Sequence, residues 1–193
     1  YEFIYLVERL GLDVSYWTNI DLHERGQLAL NHKGIVIPGH DEYYTVEMRQ
    51  NLEAARDAGV NLGFFGANNV YRRIRLEPSS IGPSRHEVNY RDASRDPMSA
   101  TDPTRVTTSF REAPAANPES SLIGNYYECN PVKADWVVVY AGAWMFDGSG
   151  FVNGEKVPDM VGNEYDRVTA GVPTPDFRLV EEVRSLRASL DRK

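Results

Sequence analysis

The feature that most constrains this chain is a short apolar run closed by glycine and proline, Gly34-Ile35-Val36-Ile37-Pro38. A continuous apolar run of that length is expected of a strand buried on both faces of a parallel sheet. Helical and extended segments alternate around it. Phe3, Leu6, Val7 and Leu10 recur at helical spacing, and Gly11 follows as a stop. Residues 13–18 alternate and are rich in β-formers, which predicts a strand. Residues 21–25 read as a short helical turn. Thr45 can cap a further helix, with Glu47 in its first turn, and that helix ends at Gly59. Residues 60–65 read as the next buried strand. This order predicts an α/β class domain: three layers, with a mostly parallel sheet flanked by helices.

The 193 residues suit a single domain, and 41% hydrophobic with 25% charged residues is a globular composition. The net charge of −7 argues against nucleic acid or an anionic membrane surface as the main partner. No apolar run approaches the roughly 20 residues a bilayer span needs. The local basic group Arg72, Arg73 and Arg75 is expected to lie on an exposed β-edge. Cys129 is the sole cysteine, so no disulfide can form within the chain; it is expected to be structural. Tyr1 opens the chain inside a helical segment with no initiating Met, so the chain reads as part of a longer polypeptide. Its partners are then further domains of that polypeptide or other copies in a homo-oligomer. The compartment is left open.

The middle of the chain differs from its start. Six prolines fall between residues 78 and 118, and the segment reads as a long irregular excursion with one strand at about residues 105–110. Such a stretch inside a compact domain is usually a lid, a binding loop or packing against another domain. Residues 136–140 predict a strong strand, residues 147–150 a turn, and residues 176–190 an amphipathic closing helix.

Parallel sheets bind ligands beyond the carboxyl ends of their strands. Two loops are expected there, residues 39–44 and 66–71. The first packs His40, Asp41, Glu42, Tyr43 and Tyr44 together, after a Gly39 that permits a tight turn. The second holds Asn68, Asn69 and Tyr71. A third segment, Gly162-Asn163-Glu164-Tyr165-Asp166, reads as a loop that can bring Glu164 to the same end. Taken singly, each has a plainer role: helix capping, turn formation, a cross-strand aromatic, a solvated acid. The chain lacks Gly-x-x-x-x-Gly-Lys-Ser/Thr, Gly-x-Gly-x-x-Gly, His-Glu-x-x-His and Gly-x-Ser-x-Gly.

In order along the chain, Gly39-His40-Asp41-Glu42-Tyr43-Tyr44-Thr45, Asp57-Ala58-Gly59-Val60-Asn61-Leu62, Asn68-Asn69-Val70-Tyr71-Arg72 and Gly162-Asn163-Glu164-Tyr165-Asp166 resemble one family, the C-terminal domain of the large (β) subunit of N,N-dimethylformamidase and its relatives. The resemblance implies a flavodoxin-like, class I glutamine amidotransferase-like fold. It also implies a hydrolase acting on the C–N bond of small linear amides, with a ferric ion (Fe) as cofactor. The metal ligands it implies are Tyr43, with Tyr44 as the register alternative, Tyr71 and Glu164. Phenolate and carboxylate are hard oxygen donors suited to ferric iron. His40, Glu42 and Asn68 are implied around the metal, orienting ligands or relaying protons. The chain departs from the family at Ala67-Asn68-Asn69 and Arg72-Arg73, where the amidase has a Gly-rich, Trp-containing segment. A second reading stands beside the enzyme: a non-catalytic ligand-binding or structural module that keeps the fold, recognisable by Arg72, Arg73 or the 78–118 segment blocking the pocket.

Overall fold

The computed structural model describes residues 2–168 and 171–173; the expected closing helix lies outside them. Helix α1 (Glu2–Arg9) is followed by Gly11 at φ 64°. Residues 13–18, expected as a strand, are irregular and lead into α2 (Asn19–Arg25), where Thr18 caps the helix and exchanges hydrogen bonds with Asp21. β1 (Gly34–Ile37) pairs in parallel with β3 (Asn61–Phe64), in the register Gly34↔Asn61 to Ile37↔Phe64. Between them run β2 (Tyr43–Tyr44) and α3 (Val46–Asp57). Thr45 caps α3 by accepting from Met48 N–H at 3.0 Å. Met48, Leu52 and Ala55 turn one face of α3 inward.

The expected three-layer parallel sheet is not what forms. The described residues carry four separate two-stranded ladders: the parallel pairs β1–β3 and β2–β4 (Arg72–Arg73), and the antiparallel pairs β5 (Arg75–Ser79) with β6 (Gly82–Val88) and β7 (Tyr126–Val137) with β8 (Lys156–Arg167). β1 alternates between exposed and half-buried instead of being covered on both faces. Apolar continuity over a few residues cannot report how many strands will pair beside it, and the later strands find hairpin partners at short range.

The core gathers Leu22, Tyr44, Met48, Leu52, Val70, Phe110 and Leu122, with Ile35, Leu62 and Phe64 packed against it. Buried arginines pull the Pro-rich segment onto this core. Arg49 donates to Asn117 O, Pro118 O and Ser121 Oγ while lying over the Phe110 ring. Arg73 donates to Val106 O and Ala115 O, and Arg75 pairs with buried Asp96 at 2.5 Å. The expected exposed basic edge is therefore wrong for Arg73 and Arg75, only 2% and 8% exposed. Five donors in a fixed fork suit a guanidinium to collecting loop carbonyls that have no ladder to join. Residues 105–110 form no strand; they meet β4 at the isolated bridge Arg72↔Ser109 and through Arg73, whose N–H donates to Thr108 O at 2.8 Å. Val106 to Phe110 are nonetheless buried.

β7 and β8 make a ribbon of two 12-residue strands. The strand expected at residues 136–140 ends at Val137 and begins ten residues earlier, at Tyr126. The segment around Glu164, read as a loop from its Gly-Asn pair, lies inside β8. Asn163 does take a left-handed φ of 57° there, so the turn signal was real but was absorbed by the strand.

Candidate active site

Because β1 and β3 run parallel, their carboxyl ends open on the same side, and the loops that follow them touch. A Cβ on Gly66 would sit 2.3 Å from the Gly39 carbonyl oxygen, so that contact requires glycine. Hydrogen bonds lace the loops together. Asp41 N–H donates to Asn69 Oδ1 at 2.8 Å, Val70 N–H to Asp41 O at 3.0 Å and Arg72 N–H to Glu42 O at 2.8 Å. Val70 is held at φ 57°, a region hostile to a β-branched side chain, and Asn68 at φ 58°. Such strain costs about 1–3 kcal/mol per residue and persists only where the surroundings impose it, often at functional sites.

The tyrosine pair splits across β2. Tyr44 is fully buried, and its hydroxyl donates to Asp41 Oδ2 at 2.6 Å. Burial, then the Asp41 carboxylate, pushes this phenol far above its ordinary range. Tyr43 points elsewhere, and its hydroxyl accepts from Arg91 at 3.0 Å.

The ribbon closes the site from the other side. Three steps on β7, Cys129 to Val132, match two on β8, Tyr165 to Asn163. This bulge re-aims Asn130, whose side-chain amide donates to Glu164 Oε1 at 3.0 Å. His40 lies between two carboxylates. Its Nε2 is 3.3 Å from Glu42 Oε2, and its Nδ1 is 3.0 Å from Glu164 Oε2, within ion-pair range but outside hydrogen-bond geometry. Arg72 Nε sits 3.4 Å from the other oxygen of Glu42. His40, Ala67, Asn130, Pro131, Gly162, Asn163 and Glu164 line a cleft of about 540 Å³.

Tyr71 stands at the same seam. Its ring centroid is 5.5 Å from that of Tyr127 on β7, with the guanidinium carbons of Arg72 and Arg111 each 4.9 Å from its centre. Arg111 is anchored by buried Glu119, which also accepts from Tyr127 N–H. The Tyr127 phenol is held above its ordinary pKa by burial first, then by negative charge on Glu164, Cys129, Tyr71 and Glu42. Asp166 Oδ1 accepts from Asn68 N–H at 2.8 Å, and burial raises the pKa of this carboxyl.

The fold thus gathers His40, Glu42 and Glu164, places Asn68 and Tyr71 beside them, and turns Tyr43 toward Arg91. Cys129, expected to be structural, lies exposed on β7 next to Asn130. Asp166, Asn130, Tyr127 and Arg111 were not singled out from sequence. Of these only Asp166 left a signal, two residues from Glu164 at the strand period. Among the described residues no three His, Cys, Asp or Glu side chains group to hold a metal ion, and no helix is long and apolar enough to cross a membrane.

No curated protein matches the chain. A family model described as "N,N-dimethylformamidase beta subunit-like, C-terminal" matches residues 1–191, and on that match the chain belongs to this family.

Proposed function

We propose that the protein hydrolyses small linear amides in the cleft between the 39–44 loop and the β7–β8 ribbon. The observation that carries this reading is His40 held between Glu42 and Glu164 at the cleft mouth. A neutral imidazole donates from one nitrogen and accepts at the other, so His40, bonded to Glu42 through Nε2, can take a proton at its other nitrogen from a water in the cleft and return it to the departing nitrogen. Glu42, itself paired with Arg72, orients the ring, and Asn130 fixes Glu164.

The family implies iron, and the donor set fits it in chemistry. Glu164 Oε2 is buried without a hydrogen-bond donor, and Tyr71 adjoins Tyr127, whose phenol feels the Glu164 charge. Tyr43, whose hydroxyl accepts from Arg91, would have to turn inward to complete the set. Tyr43, Tyr71 and Glu164 would hold the ion, and bound there it would polarise the substrate carbonyl. Tyr44 is committed to Asp41 and the core.

A non-catalytic ligand-binding module is the second reading. What favours it is that Arg91 and Arg111, both from the Pro-rich segment, engage Tyr43 and Tyr71. One experiment separates the two. Protein expressed with ample iron is analysed for metal, for a visible phenolate-to-iron band and for amine release from a panel of formamides and acetamides. The enzyme reading expects stoichiometric iron, a band weakened by Tyr71→Phe, and turnover abolished by His40→Ala. Iron-free, colourless protein with no amine release decides for the module.

A further inference from the structure

A second pocket lies behind the cleft, on the other face of β4. Successive strand residues point to opposite faces. Arg72 reaches Glu42 on the cleft side, whereas Arg73 lines a pocket of about 440 Å³ that shares no lining residue with the cleft. Arg73 is buried, and its bonds go to two carbonyls, Val106 O from Nε and Ala115 O from Nη1. Its Nη2 is buried without an acceptor. The neighbouring buried arginines each hold a carboxylate, Arg49 that of Glu53 and Arg75 that of Asp96; among the described residues Arg73 bonds to carbonyls only. The acids on the pocket wall are already engaged. Glu47 accepts from Arg105 Nη1, Glu53 from Arg49 Nε, and Asp102 from the N–H and hydroxyl of Thr104. A buried donor is normally paired, so a guanidinium fixed here with a nitrogen to spare is a seat for an acceptor that comes from outside.

A carboxylate is the acceptor that suits it. Its hydrogen bond with a guanidinium is charge-assisted, and a buried charge gains more from a counter-charge than from a further carbonyl. Burial already pulls the Arg73 pKa below its ordinary value, against the opposing effect of Asp96 and Glu112. The wall limits the ligand's charge and shape. Glu47, Glu53 and Asp102 oppose a doubly charged phosphate. Val46, Phe110 and Ala115 offer apolar surface to a short hydrocarbon tail. We propose that this pocket binds a small aliphatic monocarboxylate, with a carboxylate oxygen on Arg73 Nη2. The site is separate from the amide cleft and independent of the chemistry there.

Butanoate, its uncharged analogue butan-1-ol and inorganic phosphate are titrated into the intact protein by ligand-observed NMR at neutral pH. Butanoate should bind with a Kd of about 1 mM, at least about tenfold more tightly than the other two. Arg73→Lys keeps the charge but loses the fork that holds two carbonyls and a ligand at once, and should weaken butanoate at least about tenfold. Gln50→Glu serves if that variant does not fold. It adds a negative charge at an exposed lining position and should weaken butanoate about threefold while leaving butan-1-ol unchanged. His40→Ala, in the other cleft, should leave butanoate binding as it was. Butan-1-ol or phosphate binding as tightly as butanoate overturns the proposal, as does butanoate binding that neither pocket variant weakens or that His40→Ala abolishes. So does the absence of butanoate binding at about 50 mM.

Discussion

The packed body around α3 and the β7–β8 ribbon solve the same problem in opposite ways. The body hides Tyr44, Met48, Leu52, Val70 and Phe110 and fastens its irregular chain with buried guanidiniums. Every residue of the two ribbon strands stays at least partly exposed, large apolar Val137 and Met160 among them. The ribbon is fastened to the body by a few contacts near its base: Asn68 to Asp166, Arg111 to the Tyr127 carbonyl, Tyr71 against Tyr127. The cleft lies along that seam. One wall is held rigidly by packing and by strained loops, while the other rides on a ladder with bulges. This division puts stability in one region and chemistry at the border of both, and it can be broken by experiment.

The largest effect is expected at the seam. His40→Ala should lower amide turnover by about 10²- to 10⁴-fold, the usual span for a group that moves a proton, and should leave the melting temperature unchanged. A parallel loss of stability would mean that His40 belongs to the body. Next comes the buried pair inside the body. Asp96→Ala takes from Arg75 its buried partner, leaving it Glu77 and the Arg105 carbonyl, and should cost about 3 kcal/mol in chemical denaturation. Leu52→Ala empties the middle of the core and should cost about 2–5 kcal/mol by the same measurement.

A pH series sharpens the point. Burial alone would raise the Asp96 pKa, but hydrogen bonds from Arg75, Met98 and Thr107 outweigh it and bring it to about 2. A depressed folded-state pKa gives stability that is present above the unfolded value, about 3.9, and lost as pH falls toward 2. Asp96→Asn should flatten that acid limb of the stability profile, whereas Asp166→Asn should not. Met160→Ser, on the exposed ribbon, should change stability by no more than about 0.5 kcal/mol. A larger loss would show that the ribbon is packed as the body is.

Some of this was legible in the residues. Thr45 with Gly59 bracketed α3, Gly11 marked the end of α1, and the short apolar runs marked β1 and β3. The two loops at their ends were read as neighbours because parallel strands leave them no other arrangement. The family was readable from four motifs in order, and His40, Glu42 and Glu164 do meet. The strand containing Glu164 was not legible, because Gly162-Asn163 carries the local signature of a turn and only pairing with β7 turns it into a ladder. The arginines were misread for a related reason. A guanidinium's average place is the surface, and nothing local shows that Arg73 and Arg75 will meet carbonyls and a carboxylate tens of residues away.

By itself the sequence determined what short-range chemistry decides: helix caps, glycine turns, apolar runs and the motif order that marks the family. Only the tertiary structure decided how many strands share a ladder, which of Tyr43 and Tyr44 enters the core, and that Asn68, Glu164 and Asp166 share a seam. Those outcomes depend on pairings between distant segments, whose free energy comes from burial and hydrogen bonds that exist only once the chain has closed on itself.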